Sequence, residues 1–168
     1  SSERLHAMDY LAYAYLQTGQ DQQAQRVLSD LNAVQQADPP IFSVAYAATA
    51  IPARLGLERR MWKEAASLEL PHNVRTLAPL DQFTCGHGHI HFARAVGAAR
   101  TKDVARARDE LAKLTALEEA IIVPAGTYDW RTQVSIERRI AEAWLAFAEG
   151  RKEEAVRVMR AAAELDDA

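Results

Sequence analysis

Cysteine is almost absent from this sequence, and so are long apolar runs and any concentration of charge of one sign. Cys85 is the single cysteine in 168 residues, so no intrachain disulfide can form and nothing indicates an oxidising compartment. No apolar run reaches the roughly eighteen residues of a membrane helix, so a soluble chain without membrane insertion is expected. The formal net charge of -3, with acids and bases interspersed, lacks the positive field that binds phosphate backbones. Nucleic acid is therefore not an expected partner.

A leader peptide is also missing from the visible N-terminus. "SSERLHAMDY" has neither a basic leader nor an apolar core, and it starts inside a helical pattern. The last residues, "AAAELDDA", stop just as abruptly. We therefore expect residues 1–168 to form one helical domain cut from a longer protein, and the cellular compartment is left open.

Two segments of the chain share the pattern of a helix hairpin. In "MDYLAYAYLQTGQDQQAQRVLSDL" and "IAEAWLAFAEGRKEEAVRVMRAAAEL", apolar residues recur at steps of three and four on both sides of a glycine. Gly19 and Gly150 are predicted to end the first helix of each pair with positive φ. An alanine stands five residues after each glycine, where the second helix would cross the first.

Two further segments place an alanine at the corresponding position. The four alanines are Ala24, Ala65, Ala107 and Ala155, and they are 41, 42 and 48 residues apart. This spacing exceeds the period of about 34 residues of the tetratricopeptide repeat but remains typical of stacked helix pairs.

The first segment resembles the tetratricopeptide repeat (TPR) position by position, at Met8, Leu11, Ala12, Tyr15, Gly19, Ala24, Leu28 and Leu31. More narrowly, "AIPARLGLERRMWKEAASLE", "HFARAVGAAR" and the last segment resemble the C-terminal half of a group of bacterial TPR proteins. The resemblance implies an all-α fold of about eight helices, stacked as antiparallel hairpins in a right-handed solenoid. The resemblance also implies further repeats on both sides of this chain. No biochemical activity follows from it.

The apolar periodicity predicts where these helices lie. They are expected at about 3–18, 21–36, 41–56, 59–70, 88–101, 103–122, 128–149 and 151–165. Pro52 falls inside the third and is expected to bend it. No helical period is visible from Pro71 to Gly86.

The TPR resemblance also implies a concave groove, lined by the first helix of each pair, that binds a protein or peptide. The inner-face positions carried over from the repeat are His6, Asp9, Tyr13, Gln17, Arg54, His89 and Trp144. Tyr10 is instead predicted to be a packing residue.

The stretch "CGHGHIH" raises a different hypothesis. If it were extended, its three histidines would share one face and form a zinc site with Cys85. If it is helical, His87 and His91 share a face and His89 points away. The metal candidates are then His87, His91 and Cys85. A cysteine nucleophile activated by a neighbouring histidine is a related possibility.

The sequence thus favours a peptide-binding scaffold without catalysis or cofactor. A zinc-binding helical protein, with hydrolysis as its candidate activity, is the alternative. Self-association through uncovered repeat edges is a third possibility.

Overall fold

The structure is a computed structural model, and it describes residues 2–39, 41–70 and 85–168. These residues form helices and connecting turns without a strand. The helices are α1 (Ser2–Gln17), α2 (Asp21–Asn32), α3 (Phe42–Glu58), α4 (Trp62–Ala66), α5 (Cys85–Arg100), α6 (Val104–Ala120), α7 (Trp130–Ala148) and α8 (Lys152–Asp166). The predicted all-α class is confirmed for this part of the chain. No described helix is long and apolar enough to cross a bilayer.

Most predicted helix boundaries lie within a few residues of those observed. The fourth helix is the main exception, since it was predicted over 59–70 and spans only Trp62–Ala66. The second ends at Asn32 rather than at 36, and the fifth begins at Cys85 rather than at 88. Most of the predicted loop, residues 71–84, lies outside the described residues.

Four turns of identical form join α1 to α2, α3 to α4, α5 to α6 and α7 to α8. In each, one residue after the first helix has positive φ: Gly19 at 71°, Arg60 at 55°, Lys102 at 66° and Gly150 at 85°. The N–H of the next residue donates to the carbonyl five residues before it, over 2.8 to 2.9 Å. This is the hydrogen bond of a Schellman cap. The positive φ predicted for Gly19 and Gly150 is confirmed, and two basic residues adopt the same conformation.

The helices pack in chain order. α1 contacts α2 and α3, α3 contacts α4 and α5, α5 contacts α6 and α7, and α7 contacts α8. Each second helix also packs on the first helix of the next pair where that helix exists, as α4 does on α5. The four alanines predicted at helix crossings are all buried, from 1% exposed at Ala24 to 6% at Ala155.

Small residues allow the closest approaches in this core. α3 is buried on nearly every side, with five alanines among its buried residues, because it contacts α1, α2, α4 and α5. Gly97 of α5 lies against α4, where a Cβ would stand only 2.4 Å from the Ala66 nitrogen. α3 also continues through Pro52, so the Ala48 carbonyl lacks its usual helical donor.

Candidate functional site

Two open cavities lie side by side on the face made by the first helices of the hairpins. The larger, here called the aromatic cavity, has a volume of about 420 Å³; its aromatic walls are Tyr10, Tyr13, Phe42, Tyr46, Tyr128 and Trp130, and its other lining residues are His6, Asp9, Arg54 and Gln133. The smaller, here called the histidine cavity, has a volume of about 290 Å³ and is lined by Tyr46, Ala50, Ala53, Arg54, Leu57, Glu58, His89, Phe92 and Glu137. Tyr46 and Arg54 belong to both, so the cavities adjoin as one groove.

The aromatic cavity is built around a cluster of rings from α3 and the start of α7. The Trp130 ring lies 4.5 Å from Phe42 and 4.7 Å from Tyr128, between ring centroids. Across from them, Tyr10 and Tyr13 of α1 are 62% and 50% exposed. Large aromatic rings left in contact with water along a concave surface are typical of a binding site.

A capped helix start holds one wall of this cavity in place. The Asp129 carboxylate accepts a hydrogen bond from the Thr132 N–H at 3.0 Å, and the Thr132 hydroxyl donates to it at 2.8 Å. Aspartate in this position satisfies a backbone donor that the first helical turn leaves unpaired. Since α7 begins at Trp130, the cap fixes Trp130 and the adjacent Tyr128.

An ion pair joins α1 to α3 at the boundary between the cavities. Arg54 donates from Nη1 to Asp9 Oδ1 at 2.7 Å, and the two side chains are only 22% and 13% exposed. The guanidinium also lies 5.4 Å from the centre of the Tyr13 ring, within the range of a cation–π contact. Arg54 is therefore held in a fixed position with its charge matched.

His89 projects from α5 into the histidine cavity with one nitrogen already engaged. The Thr49 hydroxyl lies 2.9 Å from the Ala45 carbonyl, to which it donates. It lies 3.1 Å from His89 Nδ1. Because a hydroxyl has a single proton, it accepts from Nδ1–H, and this leaves His89 Nε2 as an acceptor. Burial, with the positive charge of Arg54, lowers the pKa of His89 to about 4, so the ring is neutral at neutral pH.

Glu137 of α7 faces the same nitrogen. Its Oε1 lies 3.7 Å from His89 Nε2, which is too long for a hydrogen bond. Burial raises the pKa of Glu137 to about 8, so most molecules carry a protonated carboxyl at pH 7. A Cβ at residue 88 would stand 2.9 Å from Glu137 Oε2, so a side chain there would make the carboxyl shift from its present position.

The groove offers hydrogen-bonding groups beside apolar surface. His89 presents an acceptor, and Glu137 can donate or accept according to its protonation. No serine, threonine or cysteine lines either cavity among residues 2–39, 41–70 and 85–168. A concave wall that combines apolar surface with a few polar groups can take up a ligand.

The groove brings together most of the residues predicted to line it. His6, Asp9, Tyr13 and Arg54 line the aromatic cavity, and His89 lines the histidine cavity. Gln17 lies at the margin, where its side-chain amide donates to Glu58 at 2.9 Å.

Trp144 lies apart from the two cavities. It stacks on the Arg100 guanidinium at 4.4 Å and contacts the Phe147 ring at 5.9 Å. Trp62 covers Arg100 on another side, with its ring 4.8 Å away. This arrangement belongs to the packing of α4, α5 and α7.

Sequence reasoning also missed groove residues. Tyr10 was predicted to pack in the core, but it lies exposed at the cavity wall, so that prediction was wrong. Its position four residues after His6 places it on the groove side of α1, and that spacing was a usable signal. Tyr46 and Glu137 had no comparable signal, because each acquires its role from neighbouring helices.

The candidate metal ligands share a helix face only in part. The rings of His87 and His91 stack with centroids 6.4 Å apart, as expected for a helix, and the side chain of Cys85 lies outside the described residues. His91 Nδ1 lies 2.7 Å from Glu110 Oε2. Burial raises the pKa of Glu110, but hydrogen bonds from His91 and Lys113 more than offset it, and the pKa falls to about 2. Within the described residues no three histidine, cysteine or acidic side chains could hold a metal ion together, and the zinc hypothesis stays a prediction.

The groove therefore depends on all of the first helices, α1, α3, α5 and α7, rather than on one local motif. Comparison with protein-family models, with curated proteins and with solved structures finds no match to this chain.

Proposed function

We propose that this chain is a TPR-like solenoid that binds an extended peptide segment of a partner protein in its groove, without catalysis. The observation that carries the proposal is the row of exposed aromatic rings beside fixed polar groups on the face of the first helices. The partner's segment would cross α1, α3, α5 and α7.

The repeated turn supports the TPR-like part of the proposal. All four hairpins use the same cap at residues 19, 60, 102 and 150, and each is followed five residues later by a buried alanine. Units that share a turn, a crossing residue and chain-order packing are the elements of a stacked repeat array.

The chemistry of the groove supports a peptide as its ligand. Tyrosine and tryptophan rings provide large contact areas while losing little side-chain entropy on binding. Gln133 and His6 also line this cavity and can pair with backbone N–H and C=O groups of an extended chain. The Asp9–Arg54 pair adds a fixed dipole at the centre, which favours one direction of the bound chain.

The proposal is tested by selecting linear peptides from a displayed library against the wild-type protein and measuring their affinity for two variants. Tyr13 in the groove is 50% exposed, and Phe147, outside both cavities, is 49% exposed. We expect Tyr13→Ala to weaken binding about tenfold or more, as loss of an aromatic anchor does, while Phe147→Ala leaves the affinity unchanged. Selected peptides that bind Tyr13→Ala as tightly as wild type, or that lose affinity only with Phe147→Ala, would contradict the groove assignment.

A further inference from the structure

An acceptor nitrogen and a carboxyl group face each other in the histidine cavity. His89 Nε2 carries a lone pair, because Nδ1 is used on Thr49. The Glu137 carboxyl lies 3.7 Å from it, and no described residue donates a hydrogen bond to this carboxyl. Burial without a donor is unfavourable for an ionised carboxylate. A cationic ligand that supplies several N–H groups would satisfy both the ring nitrogen and the ionised carboxylate.

The charges around the histidine cavity also favour a positively charged ligand. Asp9 already matches the positive charge of Arg54 at 2.7 Å. Two acidic residues, Glu58 and Glu137, then remain on the cavity wall. Among the described residues, Glu58 pairs with the neutral amide of Gln17 rather than with a cation. A cation entering beside Glu137 would therefore meet a net negative wall and would favour the ionised carboxylate.

The apolar part of the wall fits an aliphatic stem that ends in a cation. Ala50, Ala53 and Leu57 of α3 and Phe92 of α5 provide apolar surface, and the Tyr46 ring stands at the junction with the aromatic cavity. A volume of about 290 Å³ accepts one long side chain. Long basic side chains bury their methylene groups in this way while their charged ends reach polar atoms.

We infer that the histidine cavity is the subsite for one basic side chain, lysine or arginine, of the bound peptide. Its stem lies against Phe92 and Tyr46, and its N–H groups donate to the Glu137 carboxylate and to His89 Nε2. The inference rests on the proposed peptide-binding function and specifies which residue the peptide must carry. It also gives Gly88 a positioning role, because any side chain there would displace the carboxyl.

The test uses peptide mixtures that are randomised except at the central residue, which is fixed as lysine, arginine, norleucine or glutamate. Binding is measured to wild type, to Glu137→Gln and to a matched control, Glu142→Gln, whose carboxyl lies on the same helix but pairs with Arg138 at 3.1 Å. We expect wild type and the control to prefer lysine or arginine over norleucine by about tenfold, and Glu137→Gln to reduce that preference to about twofold or less.

The alternative outcomes separate this inference from the proposed function. If all four mixtures bind equally and Tyr13→Ala loses binding, the peptide groove is retained and the basic subsite is overturned. A preference for glutamate would have the same meaning. If no mixture binds, n-butylammonium is titrated by NMR against the neutral n-pentanol. Cation binding that depends on Glu137 would then assign the cavity to a free amine and overturn the peptide side chain. Absence of cation binding as well would overturn both proposals.

Discussion

Replacing Glu137 by glutamine tests the electrostatics of the groove without any ligand. Burial raises the pKa of Glu137 from an ordinary value of 4.5 to about 8. Between these two pH values the native protein keeps a proton that the unfolded chain has released. The contribution of Glu137 to the free energy of unfolding therefore falls as the pH rises through this interval.

The size of this effect follows from the two pKa values. Linkage gives an unfavourable contribution of about 3 kcal/mol at about pH 6.5 and about 5 kcal/mol at about pH 8.5. Wild type should thus lose about 2 kcal/mol relative to Glu137→Gln over this window. The lowered pKa of His89, about 4, makes an opposite contribution, which is lost as the pH falls below about 6.5. That contribution is common to both proteins and cancels in their difference.

The assay is urea unfolding followed by far-ultraviolet circular dichroism at the two ends of the window and at its middle. Glu142→Gln serves as the control, and its stability should follow that of wild type at every pH. If the stability of Glu137→Gln falls in parallel with wild type, the carboxyl is ionised throughout and the inferred burial of an uncompensated acid is wrong.

Three further predictions concern the turns, the helix contacts and the histidines. Lys102→Gly should raise the free energy of unfolding by about 1 kcal/mol, since Lys102 has a φ of 66° that glycine adopts without strain; an unchanged or lower value in urea unfolding would contradict this. Gly97→Ala should destabilise the protein by about 1–3 kcal/mol, because its Cβ would overlap the α4 backbone. Gly56→Ala is the matched control, as its Cβ would meet the nearest atom at 3.4 Å, and equal melting temperatures for the two variants would refute the close approach. Zinc should bind wild type no more tightly than His87→Ala/His91→Ala by calorimetry, because no three potential ligands lie together within the described residues; tight zinc binding that the double variant loses would restore the metal hypothesis.

The turns illustrate what local sequence could predict. Gly19 and Gly150 were recognisable because glycine is the usual residue at positive φ after a helix. Arg60 and Lys102 adopt the same conformation without a compositional signal. Their positions were nevertheless available from the sequence, since each stands five residues before a crossing alanine.

The groove residues likewise include some that a local sequence pattern indicates and some that it does not. The helical period separates His89 from His87 and His91 once the helix includes Cys85, and His89 lines the histidine cavity. Glu137 could not be assigned, because its pKa and its position depend on Gly88 and His89 in another helix. Tertiary burial, which no local pattern encodes, decides the chemistry of such a residue.

The order of helix packing has a mechanical consequence for ligand binding. In the described chain α1 and α7 do not contact each other, and they are connected only through α3 and α5. Both nevertheless contribute to the wall of the aromatic cavity, through residues such as Tyr13 and Gln133. A peptide lying in this cavity would contact both α1 and α7. It would thereby connect hairpins that are otherwise joined only through the hairpins between them. Its binding should make the hairpins unfold together rather than one after another.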